Sequence, residues 1–174
     1  MVVRKIFKNA SSAQHAIRDV LAMIFTQELL VPSREIFVVA PWISNIVIFD
    51  NRIGQFDALN PEWGKREIRL VDVVIALASG GTRVLFHTRT DSHNRIFQGQ
   101  LLQAASDAGV SDSYLWTQRA HLHTKGLLTD TVLLEGSMNL TERGVGLNDE
   151  AMNVCFDPDQ IAAARIHFVS YEQN

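Results

Sequence analysis

Two apolar runs of three residues, Gly126-Leu127-Leu128 and Val132-Leu133-Leu134, stand on either side of Thr129-Asp130-Thr131. Three residues are too few for a helix turn to repeat, and a three-residue gap is too short for the crossover that parallel strands need. The stretch therefore reads as two short antiparallel strands joined by a tight turn. This hairpin constrains the fold, because it forces an antiparallel element into a chain that otherwise alternates helical and strand patterns. Side chains alternate in direction along an extended segment. His121, His123 and Lys125 then share one face, and Leu122, Thr124 and Gly126 take the other. Gly136-Ser137-Met138-Asn139 breaks the second strand. Its backbone N–H groups, the Ser137 hydroxyl and the Asn139 amide are donors suited to an anionic oxygen.

The remaining chain supplies the layers around that hairpin. Residues 1–10 carry Arg4, Lys5 and Lys8 around Ile6 and Phe7 and read as either a first strand or an arm. Ser11-Ser12 reads as the N-cap of an amphipathic helix over 12–30, in which Ala16, Ile17, Val20, Leu21, Ile24 and Phe25 recur at three-and-four spacing. Pro32 and Ser33 end it. Short apolar runs predict strands at 35–40 and 46–49. Residues 50–65 form a long loop, either functional or a surface Ω-loop without a role. A helix over 66–79 capped by Gly80-Gly81, a strand at 82–88, a helix over 96–108 and a strand at 114–117 lead into the hairpin. A last core strand at 150–157 and a helix over 158–171, with Pro158 near its start, close the chain. The pattern predicts an α/β domain: a mixed β-sheet sandwiched between helices. At 174 residues the length suits a single globular unit over 33–174, with 1–32 as an N-terminal segment and helix packed on it.

Composition narrows the function classes. Hydrophobic residues make up 47% and charged residues 20%, the balance of a folded chain rather than a disordered one. No apolar run has the length of a membrane span, and the first ten residues lack the apolar centre of a signal peptide. The expectation is a cytoplasmic protein with no membrane partner. The single Cys155 has no partner for an internal disulfide and lies in an apolar run, so it reads as a small core residue. The net charge of −3 advertises no broad phosphate-binding surface, although a nucleic-acid enzyme need not be basic overall and 12 of the 16 cations are Arg, which suits bidentate phosphate contacts.

Loops at the carboxyl ends of strands build sites in open α/β sheets. Trp42 and Ser44 follow the 35–40 strand, and Arg89 and His93 follow the 82–88 strand, so these four are candidate pocket residues. In the hairpin region imidazole offers a nucleophile or general acid, lysine a fixed positive charge, and Ser137 and Asn139 neutral donors. A rival reading takes His121 and His123 as metal ligands, completed by His87, Asp91 or His93. That rival uses neither Lys125, whose charge would oppose a bound cation, nor the Gly-Ser-x-Asn turn.

Together His123, Lys125, Asp130, Gly136, Ser137 and Asn139 resemble the H-x-K-x4-D-x6-G-S-x-N motif of the phospholipase D superfamily. The Asp130-to-Gly136 interval is one residue shorter than the family's, so the turn must absorb a register change. The resemblance implies a phospholipase D-like half with one motif per chain, and a metal-independent phosphodiesterase needing no cofactor. It makes His123 the nucleophile, with a second copy of His123 as general acid. Lys125, Ser137 and Asn139 become phosphate contacts, and Glu150 the acid that hydrogen-bonds the histidine and holds its tautomer. Asp130 is either catalytic or a turn residue. Because the chain has one H-x-K, the resemblance implies a homodimer with a composite site, as in the small bacterial nucleases of the family. It also implies a phosphohistidine intermediate and a nucleic-acid substrate, DNA favoured. A phospholipase D-type lipid hydrolase and a non-catalytic scaffold are the alternatives. The segments Pro41-Trp42-Ile43-Ser44, Asp50-Asn51-Arg52 and Asp91-Ser92-His93-Asn94-Arg95 are also similar to phospholipase-D-like proteins of bacterial clusters that modify DNA with 7-deazaguanine and restrict unmodified DNA. That likeness implies a defence role and partner proteins from such a system.

Overall fold

Residues 35–39, Glu-Ile-Phe-Val-Val, offer apolar side chains to both sides of a strand, and only a central strand covered on both faces satisfies such a segment. The computed structural model, which describes residues 3–8 and 15–172, places it there. Strand β1 (Val3–Lys8) is followed by helix α1 (Ala16–Leu30), β2 (Glu35–Val39), β3 (Val47–Asp50), β4 (Glu67–Arg69) and α2 (Leu70–Ser79). Then come β5 (Arg83–Arg89), α3 (Asn94–Asp107), β6 (Tyr114–Arg119), β7 (Gly126–Leu128) and β8 (Leu133–Gly136). Helix α4 (Glu142–Gly146), β9 (Glu150–Cys155) and α5 (Pro158–Val169) complete the fold. The cap expected at Ser11-Ser12 lies outside the described residues.

Seven strands form one sheet in the order β1-β9-β8-β7-β2-β5-β6. β2, β5 and β6 run parallel. β7, β8, β9 and β1 pair antiparallel with their neighbours, and β7 joins the two halves by pairing antiparallel with β2. The sheet is mixed and lies between helices, as the pattern of runs predicted. Alternation splits the core in two. Ile36, Val38, Val84, Phe86, Leu127, Leu134, Met152 and Val154 pack with α1, α2 and α3 on one face. Phe37, Val39, Leu85, Leu128, Leu133 and Cys155 pack with Ile161 and Phe168 of α5 on the other. Asp157 caps α5 by accepting the Asp159 and Gln160 N–H groups, at 3.1 and 3.3 Å. No helix among the described residues is long and apolar enough to cross a membrane.

One expected element divides. The helix predicted over 66–79 starts at Leu70, because Glu67-Ile68-Arg69 pairs with β3 in a separate two-stranded sheet. Asp72 fixes the boundary: it accepts the Arg69 N–H at 2.8 Å and both Arg66 guanidinium nitrogens at 2.8 Å. Buried Ile68 fits a helical stripe and a strand face equally, so periodicity alone runs through the junction. The long loop before β4 is pinned by fully buried Asn51. That side chain donates to Asp57 and to the Gly64 carbonyl, each at 2.8 Å, and accepts the Phe56 N–H at 2.7 Å. Trp63 tucks under it against Phe49.

His87 on β5 is a polar side chain held inside this core without a hydrogen-bond partner among the described residues. It is 0% exposed, and its ring stacks on Phe37. Burial, reinforced by the Arg119 guanidinium, pushes its pKa down from 6.5 to about 4. The unfolded chain therefore takes up a proton that the folded ring refuses, and stability is expected to fall as pH drops from about 6.5 through about 4. Chemical denaturation of His87→Phe across this range should lose that part of the pH dependence. At pH 7 the variant should match the wild type within about 1 kcal/mol, since no hydrogen bond is lost.

Candidate active site

Antiparallel pairing sets the entry of β7 and the exit of β8 at the same end of the sheet. Gly126 lies opposite Glu135, and Glu135 opposite Asn153 of β9. Three segments meet there: residues 121–125 leading into β7, residues 136–139 leaving β8, and residues 148–150 entering β9. Residues 122–125 are unpaired, yet the expected alternation persists because one side is anchored under α5. Leu122 is buried there, Thr124 Oγ1 accepts the Tyr171 hydroxyl at 2.9 Å, and a Cβ on Gly126 would lie 2.9 Å from the Phe168 ring. His123 is exposed on the other side, over a cleft of about 600 Å³. Trp42, His123, Lys125, Ser137, Asn139 and Glu150 all line this cleft, together with Glu135, Asn148 and Asn153.

Glu150 is the buried acid of the cleft. Its carboxylate accepts a short hydrogen bond from the Ser137 hydroxyl and a long one, 3.5 Å, from the Asn148 amide. Ser137 Oγ also accepts the Ala151 N–H at 3.0 Å. Ser137 thus commits its one proton to Glu150, where the sequence suggested a direct phosphate donor. Glu150, in turn, bonds Ser137 and Asn148 among the described residues, in place of the expected bond to His123. The close approach of β8 to β9 that permits this requires Gly136, since a Cβ there would stand 2.1 Å from the Ala151 carbonyl oxygen.

Lys125 donates to the His123 carbonyl at 2.5 Å, which ties the two motif residues together. Burial lowers the Lys125 pKa from its ordinary value, and the negative charge of Glu150 acts against that shift. Asn139 accepts the Trp42 N–H at 3.3 Å through Oδ1, so the NH2 end of the amide is the end it can offer a ligand oxygen. The Trp42 indole donates to Asp91 at 3.0 Å, and Asp91 accepts the His93 N–H at 2.9 Å. The hydrogen bond from His93, with that from Trp42, holds the Asp91 carboxyl below its ordinary pKa. Buried Asn94 locks the two loops together: it accepts the Ile43 N–H and donates to the Pro41 and Arg89 carbonyls, each at 2.9 Å.

Other sequence candidates fall elsewhere. Ser44 and His93 contact each other at 3.0 Å in a neighbouring groove with Arg69 and Ile96, and Arg89 lines neither space. Asp130 sits in the turn at the opposite end of β7 and β8. Its carboxylate accepts the Arg34 N–H at 3.0 Å and an Arg165 nitrogen at 2.7 Å, so its contacts hold the turn to β2 and α5. Thr129 closes the turn by accepting the Thr131 and Val132 N–H groups, at 3.2 and 3.0 Å. With this turn, the shortened interval still delivers Gly136 to the cleft. The companions suggested for a His121/His123 metal site are engaged elsewhere: His87 lies in the core, and Asp91 and His93 hold the Trp42 loop. Among the described residues no three His, Cys, Asp or Glu side chains are placed to hold a metal ion. Glu135, Asn148 and Asn153 escaped the sequence reading. Asn153 reaches the site through a strand register that has no local signature.

Known proteins show similarity at two levels. The family profile described as "Cardiolipin synthase, PLD-like domain" matches residues 56–171. No curated protein sequence matches the chain. Among solved structures, NucT from Helicobacter pylori is 13% identical, with a TM-score of 0.63 over 99% of this chain and 97% of that one. The phospholipase D family member Nuc from Salmonella typhimurium is 12% identical, with a TM-score of 0.60 over 99% and 94%. TrmBL2, described as an archaeal chromatin protein with a novel mode of DNA binding, is 14% identical, with a TM-score of 0.55 over 99% of this chain and 52% of its own. At these identities the likeness is one of fold.

Asp130→Ala should cost about 1 kcal/mol in urea denaturation, a modest loss because the ion pair is partly exposed. Gly136→Ala should cost about 1–3 kcal/mol or more, because the new methyl group meets backbone rather than a side chain that can turn away.

Proposed function

The chain belongs to the phospholipase D-like domain family, and on that premise we propose that it hydrolyses phosphodiesters through His123, in a site completed by a second copy of the chain. The observation that carries this reading is the meeting of His123, Lys125, Asn139 and the Ser137–Glu150 pair in one cleft. An imidazole nitrogen of His123 attacks phosphorus, and the bond to the leaving oxygen breaks. His123 of the partner subunit gives that oxygen its proton. Lys125 and the Asn139 amide face the charge on the phosphoryl oxygens. Water, deprotonated by His123 of the partner subunit, then attacks the phosphohistidine, and the P–N bond breaks to release phosphate monoester and free imidazole. Glu150, oriented by Ser137, holds negative charge that acts on Lys125 and favours the lysine's cationic form. The chain has a single H-x-K, so the second histidine comes from an isologous dimer, whose two-fold symmetry brings like residues face to face.

Nucleic acid, with DNA preferred, is the proposed substrate. Support comes from the single-motif pattern, from a cleft whose lining is mostly polar, and from the DNA binding named for TrmBL2, which shares this fold. The likeness of the Trp42 and His93 loops to proteins of DNA-modifying clusters supports a role in restriction of unmodified DNA. A second reading, phospholipid as the phosphodiester, is favoured by the description of the matching family, which names cardiolipin synthase.

The test is cleavage in excess EDTA of single- and double-stranded DNA and of phosphatidylglycerol vesicles, using protein shown to be dimeric in solution. DNA cleavage by the wild type that falls at least about 1,000-fold in His123→Ala is the expected result. Headgroup release from vesicles alone would establish the lipid reading, and no turnover of either by a folded dimer would leave a scaffold. The same assay tests Lys125. Its lowered pKa predicts that activity falls with rising pH earlier than an ordinary lysine would allow, because the cationic form is the one that serves. Lys125→Arg, cationic at every accessible pH, should have a lower plateau but lose this alkaline limb.

A further inference from the structure

We propose that the groove running from His123 to the end of β6 is a subsite for the neighbouring phosphate of a nucleic-acid strand, with the Arg119 guanidinium and the His121 imidazole as its contacts. The proposal rests on the phosphodiesterase reading above and adds the part of the surface that would distinguish a polymer from a single phosphodiester. The groove, about 370 Å³, is lined by Gln118, Arg119, His121, Leu122 and Tyr171, and it shares His123 and Thr124 with the catalytic cleft. The two spaces therefore meet at the proposed nucleophile. Their electrostatics differ. Two carboxylates, Glu135 and Glu150, line the cleft, whereas none of the described residues that line the groove carries one.

Arg119 is held by an aromatic ring and a carbonyl oxygen. Arg18, Arg52, Arg66, Arg69, Arg83 and Arg165 each contact a carboxylate. Arg119 has no such partner among the described residues. Its guanidinium lies over the Tyr171 ring, 5.0 Å from the centroid, and donates to the Tyr171 carbonyl at 3.4 Å. Tyr171 is itself buried and fixed by hydrogen bonds to Thr124 at 2.9 Å and His167 at 2.8 Å. The cation is thus positioned by a rigid ring instead of a counter-ion. It can meet an anion without breaking an ion pair, and most of its donors remain for phosphate oxygens. His121 projects from the same exposed side of the segment as His123 and borders the groove. A nucleic-acid strand carries a phosphate about every 3.4 Å of helix axis, so a strand seated at His123 must place further phosphates on the adjoining surface. A ligand with one phosphodiester has no charge to put there.

The experiment compares Arg119→Gln, Arg119→Lys and His121→Ala with the wild-type dimer in EDTA. Two substrates are used, a fluorescent oligothymidylate and bis(p-nitrophenyl) phosphate, which has one phosphodiester and no neighbour. Oligothymidylate binding is also followed by anisotropy across a salt series. For Arg119→Gln, kcat/KM should fall about tenfold further on the oligonucleotide than on the small diester, mainly through KM. The slope of log affinity against log salt should become shallower by about 1, and Arg119→Lys should restore most of it. Equal losses on both substrates, or an unchanged salt slope, would overturn the subsite. Should the wild type turn over neither substrate, the phosphodiesterase reading fails, and the binding series still decides. Oligothymidylate held as tightly by Arg119→Gln as by the wild type, or not held by the wild type at all, refutes the subsite.

Discussion

The antiparallel pairing of β7 with β2 is the contact on which the site depends. β2 also pairs in parallel with β5, so it is the seam between the parallel and antiparallel halves of the sheet. Val39 stands opposite Gly126, and the carboxyl end of β2 therefore meets the amino end of β7. This brings Trp42, just beyond β2, to His123 and Lys125, just before β7. A parallel β7 would have carried the motif to the other end of the sheet. Burial enforces the seam: Phe37, Val38, Val39, Leu127 and Leu128 are almost wholly excluded from water, and a one-residue slip would exchange the two faces of the core.

At the end of that seam the polar groups form a chain of dependence. Gly136 lets β8 approach β9, the approach puts Ser137 on Glu150, and Ser137 holds the carboxylate in the wall of the cleft. Lys125 is partly desolvated by the same walls and feels the same carboxylate. Among the described residues, negative charge thus lines the cleft, while the adjoining groove at Arg119 carries none from side chains. The net charge of −3 gives no sign of this separation, because it sums charges over the whole chain, among them six arginines held in ion pairs.

Much of this was legible in the chain. The three-residue runs marked the hairpin, and alternation placed His123 and Lys125 opposite Leu122, Thr124 and Gly126. The β2 and β5 runs announced covered strands. Reading failed where one residue satisfies two local patterns. Ile68 fits a helix stripe and a strand face, and only pairing with β3 decides between them. Where the sequence left two roles open, the fold shows the surroundings of the residue. Asp130 is five residues from Lys125 in sequence, yet the strand between them carries it to the far end of the sheet, where Arg165 and the Arg34 amide hold it.

The sequence by itself determined the element types, the alternating faces of the core and the residue types gathered around His123, because these follow from local periodicity and short-range turn chemistry. The tertiary structure alone decided which of those residues share a cleft and what each has left to offer a ligand. Ser137 reads as a free donor until β9 brings Glu150 and the Ala151 amide to it. Arg119 reads as one arginine among twelve until Tyr171, 52 residues away, comes to lie beneath it. Hydrogen-bond capacity and uncompensated charge depend on neighbours distant in the chain, and only the folded register supplies them.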